Sequence, residues 1–348
     1  MFSIFRPYIF SLDPEAAHDL AIKGLKFNLI PKSFFETPNE HLLETKIFGR
    51  TFKNPIGLAA GFDKSAEVYN SLFKFGFGFI EIGTITPKKQ FGNAKPRVFR
   101  LESDKALINR LGFNNDGLEI ISNRIKNNKP TRILGANIGP NKSSQNKSDD
   151  FITCLKSIHT HADYITINIS SPNTEGLRDF HEKEILAELL RKINQTCDKM
   201  KIDKPILFKI SPDINDRDLS HIIELILKFK IQGLVISNST DKNKDTLTDE
   251  NKHEVGGLTG QPLKNISTNL IKKFYKELRG KVKIIGVGGV DSGESAFEKI
   301  TAGANLVQLY TGLIYKGPGI VKNIKTDMIK ILKSENINNI EEAVGINS

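Results

Sequence analysis

The chain is short of cysteine: Cys154 and Cys197 are the only two in 348 residues, far apart and in no C-x-x-C pair. A disulfide framework is thereby excluded, and reducing surroundings suit the pattern. Clustered Cys/His ligands are missing too, so no metal site is expected. The closest histidine pair, His159 and His161, falls between a predicted helix and a predicted strand, where packing and capping are the ordinary roles. No apolar run reaches the roughly 18 residues that a membrane-spanning helix needs. The apolar start at residues 1–10 is broken by Arg6 and Pro7 and lacks the small-residue cleavage site of a signal peptide. Charge of one sign is not gathered anywhere either. The net +10 is spread along the chain with Lys interleaved among Asn and Ile, which describes a solvated surface rather than a nucleic-acid footprint.

What is present is a series of eight short apolar runs, near 55–59, 79–83, 132–137, 163–169, 205–210, 232–237, 282–287 and 305–309. Amphipathic stretches separate most of them, at 66–75, 151–159, 182–199, 216–229, 267–278 and 295–302. Strands that are hydrophobic throughout and alternate with helices predict a parallel sheet covered on its faces. Eight such units predict a (β/α)₈ barrel, the TIM-barrel fold. The rival is a doubly wound open sheet, whose glycine fingerprint belongs after the first strand. Here that place holds Ala59-Ala60-Gly61-Phe62-Asp63-Lys64, which is no G-x-G-x-x-G, so the barrel is favoured. Two insertions interrupt the pattern, 85–129 after the second strand and 240–262 after the sixth, where long loops usually form or cover a site.

Residues 1–45 stand outside the expected barrel at 46–348. Asp13-Pro14-Glu15 reads as a helix start, with Ala17, Leu20, Ala21, Leu25 and Leu29 following at helical spacing and Phe2, Phe5, Tyr8, Ile9 and Phe10 forming an earlier apolar patch. Two readings stay open: a helical cap docked on the barrel, or an apolar entrance for a lipid-like molecule at a membrane surface. Four basic residues (Arg6, Lys23, Lys26, Lys32) face three acidic ones (Asp13, Glu15, Asp19), so apolar insertion would have to dominate.

The ends of the eight strands carry Lys64, Thr84, Asn137, Asn168, Lys209, Ser237 with Asn238, Gly288 with Gly289, and Tyr310 with Thr311. Barrel enzymes place their sites at that face, and a full ring of such residues suits a large ligand. Loops after strands seven and eight commonly bind phosphate through backbone N–H groups, which implies a phosphorylated cofactor. Lysines in a barrel mouth need an electron-rich partner; an isoalloxazine would serve Lys64 and Lys209, and Asp63 or Glu81 is the plain alternative. Asn109 to Asn115, beside Asn168, Asn173 and Asn238, reads as an amide cage for a planar heterocycle.

These motifs resemble those of the membrane-associated, quinone-dependent dihydroorotate dehydrogenases of class 2. The segments that carry the resemblance are Leu58-Ala-Ala-Gly-Phe-Asp-Lys64, Glu81-Ile-Gly-Thr84-Ile-Thr-Pro, Pro96-Arg-Val-Phe-Arg100-Leu, Ile108-Asn-Arg-Leu-Gly-Phe-Asn-Asn115, Asn168-Ile-Ser-Ser-Pro-Asn-Thr174, Gly257-Leu-Thr-Gly260 and Ile285-Gly-Val-Gly-Gly289. The resemblance implies FMN, one per chain, with its phosphate near Gly260, Gly289, Tyr310 and Thr311. Ala60, Gly61, Phe62, Asp63, Lys64, Thr84, Asn137, Asn168, Lys209 and Ser237 would complete that site. It further implies orotate or dihydroorotate held by Lys64, Asn109, Arg110, Leu111, Gly112, Phe113, Asn168, Asn173, Asn238 and Ser239. Ser171 would be the catalytic base where class 1 enzymes use cysteine, with Thr174 or a water carrying its proton away. Quinone would arrive along the amino-terminal helices, with Arg100 and Tyr310 beside its head. Phe62 and Ser237 depart from the leucine and threonine common at those positions but keep their character. The absence of a targeting peptide and a spanning helix points to a bacterial enzyme, a monomer held peripherally on the cytoplasmic face of the inner membrane. Histidine-based FMN barrels and a non-catalytic membrane-binding barrel are the competing readings.

Overall fold

The eight apolar runs close on themselves. The computed structural model of the protein describes residues 2–27 and 40–348. Its parallel barrel strands are Ile56–Leu58, Phe79–Ile85, Ile133–Ile138, Tyr164–Asn168, Ile206–Ile210, Gly233–Ile236, Lys283–Val287 and Leu306–Leu309. Closure comes from the eighth strand lying beside the first, Val307 opposite Ile56 and Leu309 opposite Leu58. Nearly every strand residue is buried, because one face meets the helices and the other fills the barrel. The outer layer comprises Tyr69–Phe73, Leu118–Asn127, Lys147–Ile158, Lys183–Met200, Asp216–Lys228, Lys264–Leu278, Gly293–Thr301 and Ile320–Ser334.

Only one end of the barrel is open to chemistry. A hairpin, Thr45–Ile47 with Arg50–Phe52, inserts Ile47 and Phe52 into the same apolar cluster as Phe79, Tyr164, Leu207, Val235, Ile285 and Leu306, and so plugs the amino-terminal end. Phe52 meets Phe79 edge to face, with ring centroids 5.5 Å apart. The helix expected over 66–75 is shortened to Tyr69–Phe73. Asp63 draws the preceding turn together by accepting from the N–H groups of Glu67 (2.7 Å) and Val68 (2.8 Å).

The two insertions find each other. Val98–Leu101 and Ala106–Asn109 from the first, and Gly257–Gly260 from the second, form a three-stranded antiparallel sheet with Ala106–Asn109 in the middle. The first insertion also contains the helix Leu118–Asn127. Helix Pro14–Lys26 packs against Val98–Leu101 and the barrel helix Tyr69–Phe73, burying Ile22 and Leu25 in the main core, while Phe2–Phe10 packs on the short helix Thr311–Lys316, with Phe10 edge to face on Tyr315. Asp13 caps the second by accepting from Glu15 N (3.0 Å) and Ala16 N (2.9 Å), as its sequence predicts. Arg97 binds both oxygens of Glu15, and Arg100 donates to the carbonyls of Phe10 (3.0 Å) and Leu12 (2.8 Å). Leu29 and Lys32, read as part of the extension, lie outside the described residues.

Candidate active site

At the open end a polar cavity is walled by residues from all eight strand ends except the third, and by the three-stranded sheet. Ser171 follows the fourth strand and is buried; its Oγ accepts from Asn173 N at 3.3 Å. Asn173 in turn donates to the Asn109 carbonyl at 3.0 Å, which ties the serine loop to the sheet above it. No hydrogen bond joins Thr174 directly to Ser171 among the described residues. Pro172 and Ser239 press against Gly257 so closely that any side chain there would collide with them.

The far wall is glycine. Gly288 and Gly289 have φ of +120° and +70°, and a Cβ on Gly289 would stand 2.7 Å from Lys264 Cα and 2.9 Å from its N. Only glycine gives both that backbone and that approach. Gly260, Tyr310 and Thr311 complete this end, with the hydroxyls of Thr259 and Thr311 2.9 Å apart. The opposite floor holds Lys209. Its ammonium makes no hydrogen bond among the described residues. Burial lowers its pKa, partly opposed by Glu81 acting through space. A buried cation facing a cavity without an acceptor calls for an electron-rich ligand.

A second cavity adjoins the first and is apolar. Phe2, Phe5, Ile9, Phe10, Ala17 and Leu25 from the extension line it, with Phe62, Arg100 and Leu313 opposite. Lys64, Val98, Leu107, Leu111 and Tyr310 belong to both linings, so one layer of side chains separates the two spaces. Phe62 contacts the rings of His18 and Tyr310, with centroids 5.0 and 6.2 Å away. Burial pushes His18 down to about 3, with the Lys64 charge adding to the effect, so its ring is neutral.

A family model described as dihydroorotate dehydrogenase matches residues 42–332. The chain belongs to the dihydroorotate dehydrogenase family. A relative named dihydroorotate dehydrogenase (quinone), from Christiangramia forsetii, is 45% identical over 337 residues, covering 94% of this chain and 98% of that one. The mitochondrial dihydroorotate dehydrogenase (quinone) of Mus musculus is 42% identical, covering 96% of this chain and 87% of that one. A crystal structure of the Eimeria tenella dihydroorotate dehydrogenase in complex with ferulenol has a TM-score of 0.92 at 37% identity, covering 96% of each chain. The likeness to quinone-dependent members read from the motifs is borne out over nearly the whole chain, as is the barrel.

Within this dihydroorotate dehydrogenase fold most of the expected residues gather on the polar cavity. Ser171, Lys64, Asn109, Leu111, Gly112, Phe113, Asn168, Asn173, Asn238 and Ser239 line it, as do Ala60, Gly61, Thr84, Lys209, Ser237, Gly260, Gly289, Tyr310 and Thr311. Four do not. Arg110 turns outward to Glu254 (2.7 Å) and stacks on Phe99. Asp63 is consumed by the turn described above. Phe62 faces the apolar cavity, and Asn137 lies fully buried behind Thr84 and Asn168. Neither carboxylate considered for Lys64 binds it among the described residues; its ammonium meets His18 Nε2, 3.4 Å away. His18 was not anticipated, although its place one turn after Glu15 on the capped helix was a usable signal.

Proposed function

We propose that this chain oxidises dihydroorotate to orotate, with FMN as the first acceptor and a membrane quinone as the last, in pyrimidine biosynthesis. The observation that carries the reading is the shared wall: a polar cavity with a glycine cradle and a buried lysine, separated by one layer of residues from an apolar cavity that opens among the amino-terminal helices. One flat ligand can then touch a polar substrate on one side and an apolar oxidant at its edge. The residues present fit FMN. Gly260, Gly289, Tyr310 and Thr311 would hold its phosphate, and Lys209, Thr84, Ser237, Ala60 and Gly61 its ring.

Bound FMN supplies a two-electron acceptor for the hydrogen on substrate C6 and a donor to quinone. Ser171 Oγ is the group that would take the proton from C5. A serine hydroxyl is a weak base, so its proton must pass on to water in the cavity. Lys64 would hold the substrate carboxylate, and the amides of Asn109, Asn168, Asn173 and Asn238 its ring edges. Lys209 would offset negative charge on the reduced cofactor, in a site dry enough for that charge to count. None of the residues lining the polar cavity is a histidine, which disfavours histidine-based FMN chemistry.

Residues 1–45 would form the quinone-access extension and 46–348 the catalytic barrel. Ile4, Phe5, Tyr8 and Leu20 are exposed on the two helices, with Phe27 exposed just past the second, an arrangement that supports peripheral attachment to a membrane. No helix among the described residues is long and apolar enough to cross one. The reading places a monomer on the cytoplasmic face of a bacterial inner membrane. Anaerobic absorbance spectra test the chemistry: a purified yellow protein should bleach with dihydroorotate and regain colour with quinone. A colourless protein, or one indifferent to dihydroorotate, would overturn it.

A further inference from the structure

Glu81, on the second strand, is fully buried inside the barrel and lines neither cavity. Its oxygens accept four hydrogen bonds: Asn137 Nδ2 at 2.8 Å, Thr166 Oγ1 at 3.0 Å, and Tyr164 OH and Gln308 Nε2 at 3.1 Å each. Every neighbour is a donor, as an acceptor-only carboxylate requires.

The consequence runs upward through three asparagines. Asn137 gives its NH₂ to Glu81, so its Oδ1 faces the mouth, where it accepts from Thr84 Oγ1 (2.6 Å) and Asn168 Nδ2 (3.1 Å). Asn168 Oδ1 accepts from Asn238 Nδ2 at 3.3 Å and from Ser170 Oγ at 3.0 Å. Asn238 Oδ1 accepts from Ser239 N at 2.8 Å and Ser239 Oγ at 3.4 Å. Each amide points its N–H toward Glu81 and its carbonyl away. A carboxamide turned by half a rotation has the same shape, so shape alone leaves its sense undecided. Hydroxyls and side-chain amides can reverse roles; the Glu81 carboxylate cannot. At the mouth the backbone N–H groups of Ser170 (3.3 Å to Asn168 Oδ1) and Ser239, equally fixed as donors, hold Asn168 and Asn238 in the same sense, so Asn137 is the amide whose sense Glu81 decides.

We propose that Glu81 is a positioning residue that fixes the donor–acceptor sense of Asn137, so that Asn137 Oδ1 accepts from Asn168 and holds the chain Asn137–Asn168–Asn238 in place from below. It thereby steadies Asn168 and Asn238, the two members on the cavity wall, in the orientation they offer to the bound pyrimidine acid. The inference rests on the reading of the cavity as a dihydroorotate and FMN site. It also accounts for Asn137 lying behind the wall, where it acts as a link rather than a contact.

The test titrates FMN-loaded protein with orotate, following the flavin absorbance, in wild type, Glu81→Gln and Gln308→Leu. Glutamine keeps the size of Glu81 but donates as well as accepts, so Asn137 can reverse and set its NH₂ against that of Asn168. Gln308→Leu disturbs the same buried cluster without touching the chain. The expected result is orotate binding weakened roughly tenfold in Glu81→Gln, about one hydrogen bond's worth, with binding in Gln308→Leu near wild type. Equal weakening in both, or a Glu81→Gln affinity within about twofold of wild type, would overturn the proposal. Should Glu81→Gln not fold, Asn137→Leu cuts the chain above the carboxylate; the same weakening is expected, and unchanged affinity overturns the idea. A wild-type spectrum that ignores orotate would sink the functional reading first, and the proposal with it.

Discussion

The Lys64 ammonium lies 3.4 Å from His18 Nε2, joining the end of the first barrel strand to the second amino-terminal helix. One residue thus stands in the linings of both cavities and answers to both. Burial lowers Lys64 to about 8, against the opposing pull of Glu15 and Asp19. Because only the ammonium attracts a carboxylate, orotate affinity should be constant below about pH 8 and fall by up to tenfold per pH unit above it. In Lys64→Arg the charge cannot be titrated, so that fall should vanish. Flavin absorbance titrations across the range decide the matter; the same alkaline loss in Lys64→Arg would discard the assignment.

Replacing Ser171 with alanine removes one hydroxyl and its single hydrogen bond from Asn173 N. FMN should stay bound while flavin bleaching by dihydroorotate slows by roughly two to four orders of magnitude, the usual worth of a positioned base. Stopped-flow absorbance without oxygen measures it. Equal bleaching rates would end the role given to Ser171.

Gly24 sits in the helix Pro14–Lys26 on the lining of the apolar cavity, and a Cβ placed there meets nothing within 4 Å. Gly24→Leu should therefore enter the cavity with its Cβ unopposed, with a gain in helix propensity of up to about 1 kcal/mol. Quinone turnover should drop roughly tenfold, equivalent to about 1.4 kcal/mol of lost binding, while dihydroorotate-driven bleaching is unchanged. Unaltered quinone kinetics would show that the oxidant takes another route.

Lys299 is fully buried with no carboxylate bound to it, donating to Ser267 Oγ (2.5 Å), Thr268 Oγ1 (3.0 Å) and the Lys264 carbonyl (3.3 Å). Burial lowers its pKa to about 7. Between that value and the unfolded one the unfolded chain holds more protons, so this group makes stability rise with pH. Wild type should gain stability relative to Lys299→Met as pH is raised from about 7 to 9. Parallel denaturation profiles would contradict this.

The eight strands were legible because a strand buried on both faces is hydrophobic throughout. The sheet above the mouth was not. Gly257–Gly260 lies in the 240–262 insertion with two glycines in four residues and little strand character, and it becomes a strand because Ala106–Asn109, about 150 residues earlier, offers it a partner. Helix Leu118–Asn127 did carry a signal, with Leu118, Ile121 and Ile125 at helical spacing, but Gly117 gives it no side-chain cap to mark its start. Which way a strand-end residue points is equally silent in sequence. Asn137 and Asn168 both end strands, and the fold puts one behind the other.

The same long-range pairing sets an order of events in biosynthesis. Strands Val98–Leu101 and Ala106–Asn109 leave the ribosome early, but their third neighbour waits until residue 260 has been made. A nascent chain of 240 residues therefore lacks the third strand of that sheet as well as the last two barrel strands, which lead into Gly289 and Thr311. Firm retention of its coenzyme must await the end of translation.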